Sequence, residues 1–235
     1  MERPNPYAEL AAPPAAFAEA SERAAFLTRV YGILFLGILG FAATLWAAGN
    51  VEPVRNLMLE LWGAITGNRF GMLLYIGLFL AGSWLVNMLA EKRPINVVAY
   101  ASWVFLLGLL VAPLTLAAGP ALVTQASIIT AVVFGGLTLF VLYTGKDFSF
   151  LRGALWVGFV AILVAAVAGF LFGFTLGLWL SVAIVALTAG YILYYTSEIL
   201  HRLPTTMAMT GAILLFTEVV LLFKNILVLL LRTRD

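Results

Sequence analysis

Glu218 stands in the middle of an apolar run, residues 210–231, in which almost every neighbour is Leu, Val, Ile or Phe. An ionised carboxylate inside a bilayer costs on the order of 3 kcal/mol on insertion scales, so an acid kept there points to proton or cation chemistry. The preceding apolar run ends with Tyr191, Tyr194, Tyr195, Glu198 and His201, which a helix places on neighbouring faces. Burial favours the neutral acid over the carboxylate, and a second nearby carboxylate strengthens that preference for one of the two. Such a site binds cations when ionised and loses them when protonated, which is a pH gate in outline. Calcium takes about six to eight hard oxygen ligands, so Glu218 and Glu198 with tyrosine hydroxyls and water would hold it only transiently. Weak binding suits a leak, since an ion must also leave. The competing reading makes Glu218 a permanently protonated donor that joins two helices through one hydrogen bond.

Other polar residues surround this pair. Asn225, seven residues after Glu218, shares its helical face, whereas Lys224 is rotated about 240° from Glu218. Lys224 either snorkels to the headgroups or forms an interior ion pair. A lysine on a last helix also raises a Schiff-base chromophore, but the third and fourth apolar segments carry no carboxylate to balance one. No H-E-x-x-H or G-x-S-x-G is present, and His201 is the sole histidine, so we expect no enzyme and no resident cofactor. Asp147, next to Lys146, is expected to pair locally or to cap the following helix.

The elements that must position these groups are membrane spans. The chain is 63% hydrophobic and 10% charged, with a mean hydropathy of +1.07, far from the roughly 45–50% apolar and about 25% charged of soluble domains. Apolar runs at about 20 residues per crossing predict an all-α integral membrane protein with spans near residues 30–48, 71–90, 95–117, 121–144, 153–173, 176–198 and 206–231. The uncharged stretch 94–145 is too long for one crossing and is divided at Gly119 and Pro120. Residues 26–235 thus form one seven-helix domain; Arg55, Arg69, Arg232 and Arg234 would lie outside in a strict seven-span count, so the seventh segment either crosses, as its length favours, or re-enters. Residues 1–25, rich in Pro, Ala and Glu, read as a disordered cytoplasmic tail. Residues 52–66 repeat Val54, Leu57, Met58, Leu61, Trp62 and Ile65 at helical spacing, a helix lying on the membrane with Trp62 at headgroup level. Arg23, Arg29, Lys92, Arg93, Lys146, Arg152 and Arg202 fall on one side of this scheme, which places the N-terminus inside. Ala161, Ala165, Gly169 and Gly173 form a row of small residues that predicts a close helix contact. A net charge of +2 gives no nucleic-acid surface; the partners are the bilayer and cations, and the oligomeric state is open.

Residues 137–153, LTLFVLYTGKDFSFLRG, resemble the loop between the fourth and fifth spans of the Bax inhibitor-1 family, including its bacterial YccA-like members. Residues 191–202 and 215–231 are similar to that family's sixth-helix end and last helix. The resemblance implies a seven-helix bundle with a central last helix, in a bacterial inner membrane, passing calcium down its gradient under control of pH. It also implies an acidic pair, one member in an LYDT-like sequence of the sixth span and one on the seventh. Glu218 matches the second member, but Tyr195 occupies the first position, in Leu193-Tyr194-Tyr195-Thr196. Glu198 would then replace the missing acid at a shallower depth, or Tyr195 would hydrogen-bond a protonated Glu218 and hold the path shut. The alternative that the family offers is a regulator that binds a membrane-bound protease.

Overall fold

A computed structural model describes residues 13–67, 70–173 and 177–233; residues 1–12, the first part of the expected tail, lie outside the described residues. The helices are α1 (Ala20–Asn50), α2 (Glu52–Thr66), α3 (Gly71–Leu89), α4 (Ile95–Thr144), α5 (Leu151–Phe172), α6 (Gly177–His201) and α7 (Ala208–Arg232). Five of them, α1, α4, α5, α6 and α7, hold stretches long and apolar enough to cross a membrane, and α3 contributes the shorter apolar helix Leu73–Leu89. With no strand among the described residues, this is an all-α membrane bundle.

The 50 residues of α4 would run about 75 Å at about 1.5 Å per residue, more than twice a hydrocarbon core of about 30 Å. The helix breaks at Gly119, whose φ of 78° and ψ of 166° lie outside the helical region and suit a residue without Cβ. Pro120 follows, where a missing N–H is harmless at the start of a new helix. Two arms result, 95–118 and 120–144. The first runs beside α1, where Gly37 and Gly108 allow close approach: the Tyr100 hydroxyl packs onto Gly37, and Gly108 faces Thr44.

At the centre lies α7, against α6, α4 and α1. Its Leu215, Phe216, Leu222 and Leu227 are fully enclosed, and Phe41 meets Phe216 and Phe223 edge-on at 6.3 and 6.0 Å. Gly211, near its start, faces Ile199 at the end of α6, while Arg232 reaches Gly177 at the beginning of α6. The two helices are therefore antiparallel over their whole length, and the seventh segment runs through the bundle without turning back.

Three expectations need correction. Residues 13–25 are not a free tail: Ala15 is 0% exposed, its N–H donates to the Leu203 carbonyl at 3.0 Å, and the Thr205 hydroxyl donates to Glu22 at 2.8 Å. The segment covers the α6–α7 connection, and α1 starts at Ala20, ten residues before the predicted span. The small-residue row on α5 is not a packing face either, since Ala161 and Gly173 are exposed. Contact with α6 is made by an offset stripe: Gly158 receives Leu187, and Leu155 packs into Gly190.

Trp62, third, points inward instead of to the headgroups. Pro113 has no N–H to give the carbonyl four residues before it, which leaves the Leu109 carbonyl without its helical partner. The Trp62 indole N–H donates to that carbonyl at 3.1 Å, so a residue of α2 repairs a proline defect in α4. Trp62→Phe is expected to cost about 1–3 kcal/mol, the penalty of an orphaned buried acceptor. In a Pro113→Ala background, where the helix restores its own bond, the same change should cost clearly less. Thermal unfolding of the four proteins in detergent reads the difference.

Candidate functional site

A cavity of about 1020 Å³ lies among α3, α5, α6 and α7. From α6 it receives Tyr191, Tyr194 and Tyr195, and from α7 Thr217, Glu218, Lys224 and Asn225. Glu218 is ten residues into α7 and 7% exposed. Among the described residues its carboxyl makes no hydrogen bond to the protein, and its Oε2 is sealed from solvent without a partner. An acid acting as a structural joint would show its donor or acceptor; this one shows neither. The Tyr191 and Tyr195 side chains lie within electrostatic reach of it. They stack on each other with centroids 5.5 Å apart, and Tyr191 is tied to α5 through its hydroxyl, which donates to the Leu155 carbonyl at 3.2 Å.

The structure thus joins Glu218 to Tyr191, Tyr195 and Asn225. The Asn225 amide donates to the Leu221 carbonyl at 2.8 Å, and Asn225 itself lines the cavity. Glu198 is placed differently. It lies one turn nearer the helix end, beside Tyr194, is not among the residues that line the cavity, and has an enclosed, unpartnered Oε2 of its own. Tyr195 feels both acids and stands between them. Among the described residues no group of three acidic or histidine side chains converges as a metal site would require. Lys224 lines the same cavity: a turn of about 240° is about 120° the other way round, and Glu218 and Lys224 stand at the two edges of the one face of α7, residues Leu214 to Asn225, that borders it; its ammonium lies 5.6 Å from the Tyr75 ring centroid.

Sequence reasoning missed the residues that hold Glu218 in place. The Trp103 indole N–H donates to the Thr217 hydroxyl at 3.0 Å, and Thr217 donates in turn to the Ile213 carbonyl at 2.9 Å. Trp103 also meets Phe79 at 5.6 Å and packs onto Gly82. One side chain of α4 thereby fixes α3 and the α7 turn that carries Glu218. The available signal was a tryptophan deep in a span, away from the interfacial belts where this residue concentrates.

At the end of the bundle where α6 finishes, the loop 145–150 is clamped to α6. The two ring nitrogens of His201 lie 2.9 Å from the Ser197 carbonyl oxygen and 3.0 Å from that of Gly145, and the Phe148 N–H donates to the Ser197 hydroxyl at 2.8 Å. Asp147 neither pairs with Lys146 nor caps α5. Its Oδ1 accepts the Ser149 N–H at 2.8 Å, and its Oδ2 accepts from Arg202 at 3.2 Å. The Ser149 N–H, with help from Arg202, holds the Asp147 carboxyl below the usual range. A carboxyl lowered by folding adds stability above its unfolded value, near pH 4, and loses it only as the pH falls further. The Asp147 contacts of this latch are therefore constant across neutral pH.

A family model described as "Inhibitor of apoptosis-promoting Bax1" matches residues 23–235. The chain belongs to the Bax inhibitor-1 family. Relatives include an uncharacterized protein of Campylobacter jejuni, 30% identical over 88% of each chain. Mouse "Protein lifeguard 4" is 29% identical over 87% of this chain and 84% of its own. The "Golgi anti-apoptotic protein" of vaccinia virus is 28% identical over 88% and 85%. In Bax inhibitor-1 terms, the matched region takes in α2 to α7 whole and all but the first three residues of α1, so the cavity and every residue lining it fall within the family domain.

Proposed function

We propose that this Bax inhibitor-1 protein is a pH-sensitive cation leak, conducting calcium past Glu218 without catalysing a reaction, and that protonation of Glu218 shuts it. The observation that carries this reading is a membrane-buried carboxyl with no hydrogen bond to the protein, facing a cavity with Tyr191, Tyr195 and Asn225 as oxygen-bearing neighbours. Ionised, Glu218 supplies the charge that calcium needs; neutral, it offers only a hydroxyl and a carbonyl. Tyr195 takes the place of a second acid, and Glu198 is an outlying acid nearer the membrane face. We place the protein in the inner membrane of a bacterium, among the YccA-like members, with its N-terminus in the cytoplasm. The cluster of Lys92, Arg93, Lys146, Arg152 and Arg202 at one end of the bundle supports that orientation.

Flux of calcium and of sodium into proteoliposomes across a range of pH tests the proposal, with calcium flux rising as Glu218 ionises. Deleting residues 1–12, which lie before the packed segment, should leave that flux unchanged. Absence of flux in both forms would instead favour a regulator of a membrane-bound protease.

A further inference from the structure

Lys224 raises a question that cation conduction does not answer. It is a cation in the wall of a cavity proposed to admit cations, and among the described residues it has no ion pair; the one salt bridge there joins Arg202 to Asp147. Glu218 lies about 9 Å away along the axis and about 240° around the helix, so it does not neutralise the ammonium. The Tyr75 ring face is its recognised neighbour, an attraction that orients a cation without cancelling its charge.

The position of that ammonium is informative. Tyr75 is four residues from the start of α3, about 6 Å at about 1.5 Å per residue, so the charge sits just below the rim of the bundle. Below it the cavity continues between α3 and α5. These two helices make no extensive contact, and α5 is held by α6 alone among the extensive pairings. The cavity is therefore a cleft, open sideways to the bilayer, with α6 and α7 as its floor. Its walls are Ile76, Phe79 and Leu80 on one side and Trp156 and Phe159 on the other. From Tyr75 to Asn87 it extends about 18 Å along α3, slightly more than one leaflet's share, about 15 Å, of the hydrocarbon core. Its volume of about 1020 Å³ stands at the upper end of ligand pockets, roughly 300–1,000 Å³.

We propose that this cleft is a binding site for an anionic glycerophospholipid, with the lipid phosphate on the Lys224 ammonium and one acyl chain lying between α3 and α5. A soluble anion would gain nothing from the apolar walls, and a zwitterionic lipid brings its own cation to a cleft that already holds two, Lys224 at the Tyr75 end and Arg152 at the opposite end near Asn87. A net negative headgroup supplies the charge that Lys224 lacks, at the depth where lipid phosphates meet the glycerol layer. The site stands on the cleft and on Lys224, not on the cation reading of Glu218; the two share one cavity, so lipid binding is read without flux and a failure of either can be told from a failure of the other.

Native mass spectrometry of the delipidated, full-length protein, titrated with phosphatidylglycerol or with phosphatidylcholine of the same acyl chains, tests this. The wild type is expected to hold phosphatidylglycerol about fivefold or more tightly, the contribution of one basic side chain at a membrane surface. Lys224→Gln should remove the preference, Lys224→Arg should keep it, and Arg232→Gln, at the helix end, should leave it unchanged. Leu80→Trp, which narrows the cleft without touching charge, should weaken both lipids and covers the case in which Lys224→Gln does not fold. A phosphatidylglycerol with a photoreactive group in its acyl chain should label α3 and α5. An unchanged preference in Lys224→Gln, or labelling confined to the groove between α1 and the second arm of α4, overturns the proposal.

Discussion

Glu218→Gln is expected to abolish the pH dependence of cation flux and to lower neutral-pH flux by about tenfold or more, leaving the protein folded. A unit cation about 4 Å from a carboxylate gains about 4 kcal/mol at an effective dielectric of about 20, and about 1.4 kcal/mol already corresponds to tenfold in occupancy. The amide matches the acid in shape and carries no charge, so the variant resembles the protonated protein at every pH. Wild-type flux at low pH should therefore converge on that of the variant. The fold should survive because, among the described residues, the Glu218 carboxyl makes no protein hydrogen bond that the change would break. Wild-type flux with intact pH dependence in Glu218→Gln liposomes removes Glu218 from the mechanism. An unfolded variant would show instead that the carboxyl is structural.

Gly108→Leu is expected to be severely damaging although it lies outside the cavity. A Cβ at position 108 would stand 2.5 Å from Thr44 Cγ2 and 2.6 Å from Thr44 Cβ. Thr44 cannot swing aside, because its own Cβ is one of the obstructing atoms and its hydroxyl donates to the Gly40 carbonyl at 2.9 Å. The first arm of α4 would have to leave α1, and that arm also carries Trp103, which positions Thr217 next to Glu218. Overpacking of this kind costs about 1–3 kcal/mol, sometimes more, and a clash with a side chain that cannot rotate clear places Gly108→Leu at or above the upper end. Loss of the monodisperse detergent-solubilised species, or a large fall in unfolding temperature, measures it; Gly135→Leu, where a Cβ meets nothing within 4 Å, is the matched control.

The spans were legible because the bilayer imposes one rule on every crossing: an apolar run ended by charge, or by glycine and proline. That rule separates Lys92 and Arg93 from the spans around them and finds the break at Gly119. It also isolates Glu218, since an acid among leucines stands out in any such reading. Relations between distant residues were not legible. Trp62 and Pro113 are both conspicuous, yet nothing in their spacing says that one repairs the other. Asp147 looked inward to Lys146 or to its own helix, whereas its partner Arg202 is 55 positions away. Helical angles set Lys224 apart from Glu218, yet the two stand only about 120° apart by the shorter way, and a cavity bordered by a third of a helix takes in both. The row on α5 failed because small residues permit close approach without requiring it.

α5 is the exception to the tight packing elsewhere. Leu155 is its one buried large side chain among the described residues, and its neighbour is α6. Segments with few enclosed contacts open at the lowest free energy, so the width of the groove is governed by a single seam, that of Leu155, Gly158, Leu187 and Gly190. The wall bearing Glu218 is pinned from several directions while the wall opposite is attached along one edge. Substitutions in that seam, which itself carries no charge, should therefore tune which guests the protein admits while leaving the acid where it is.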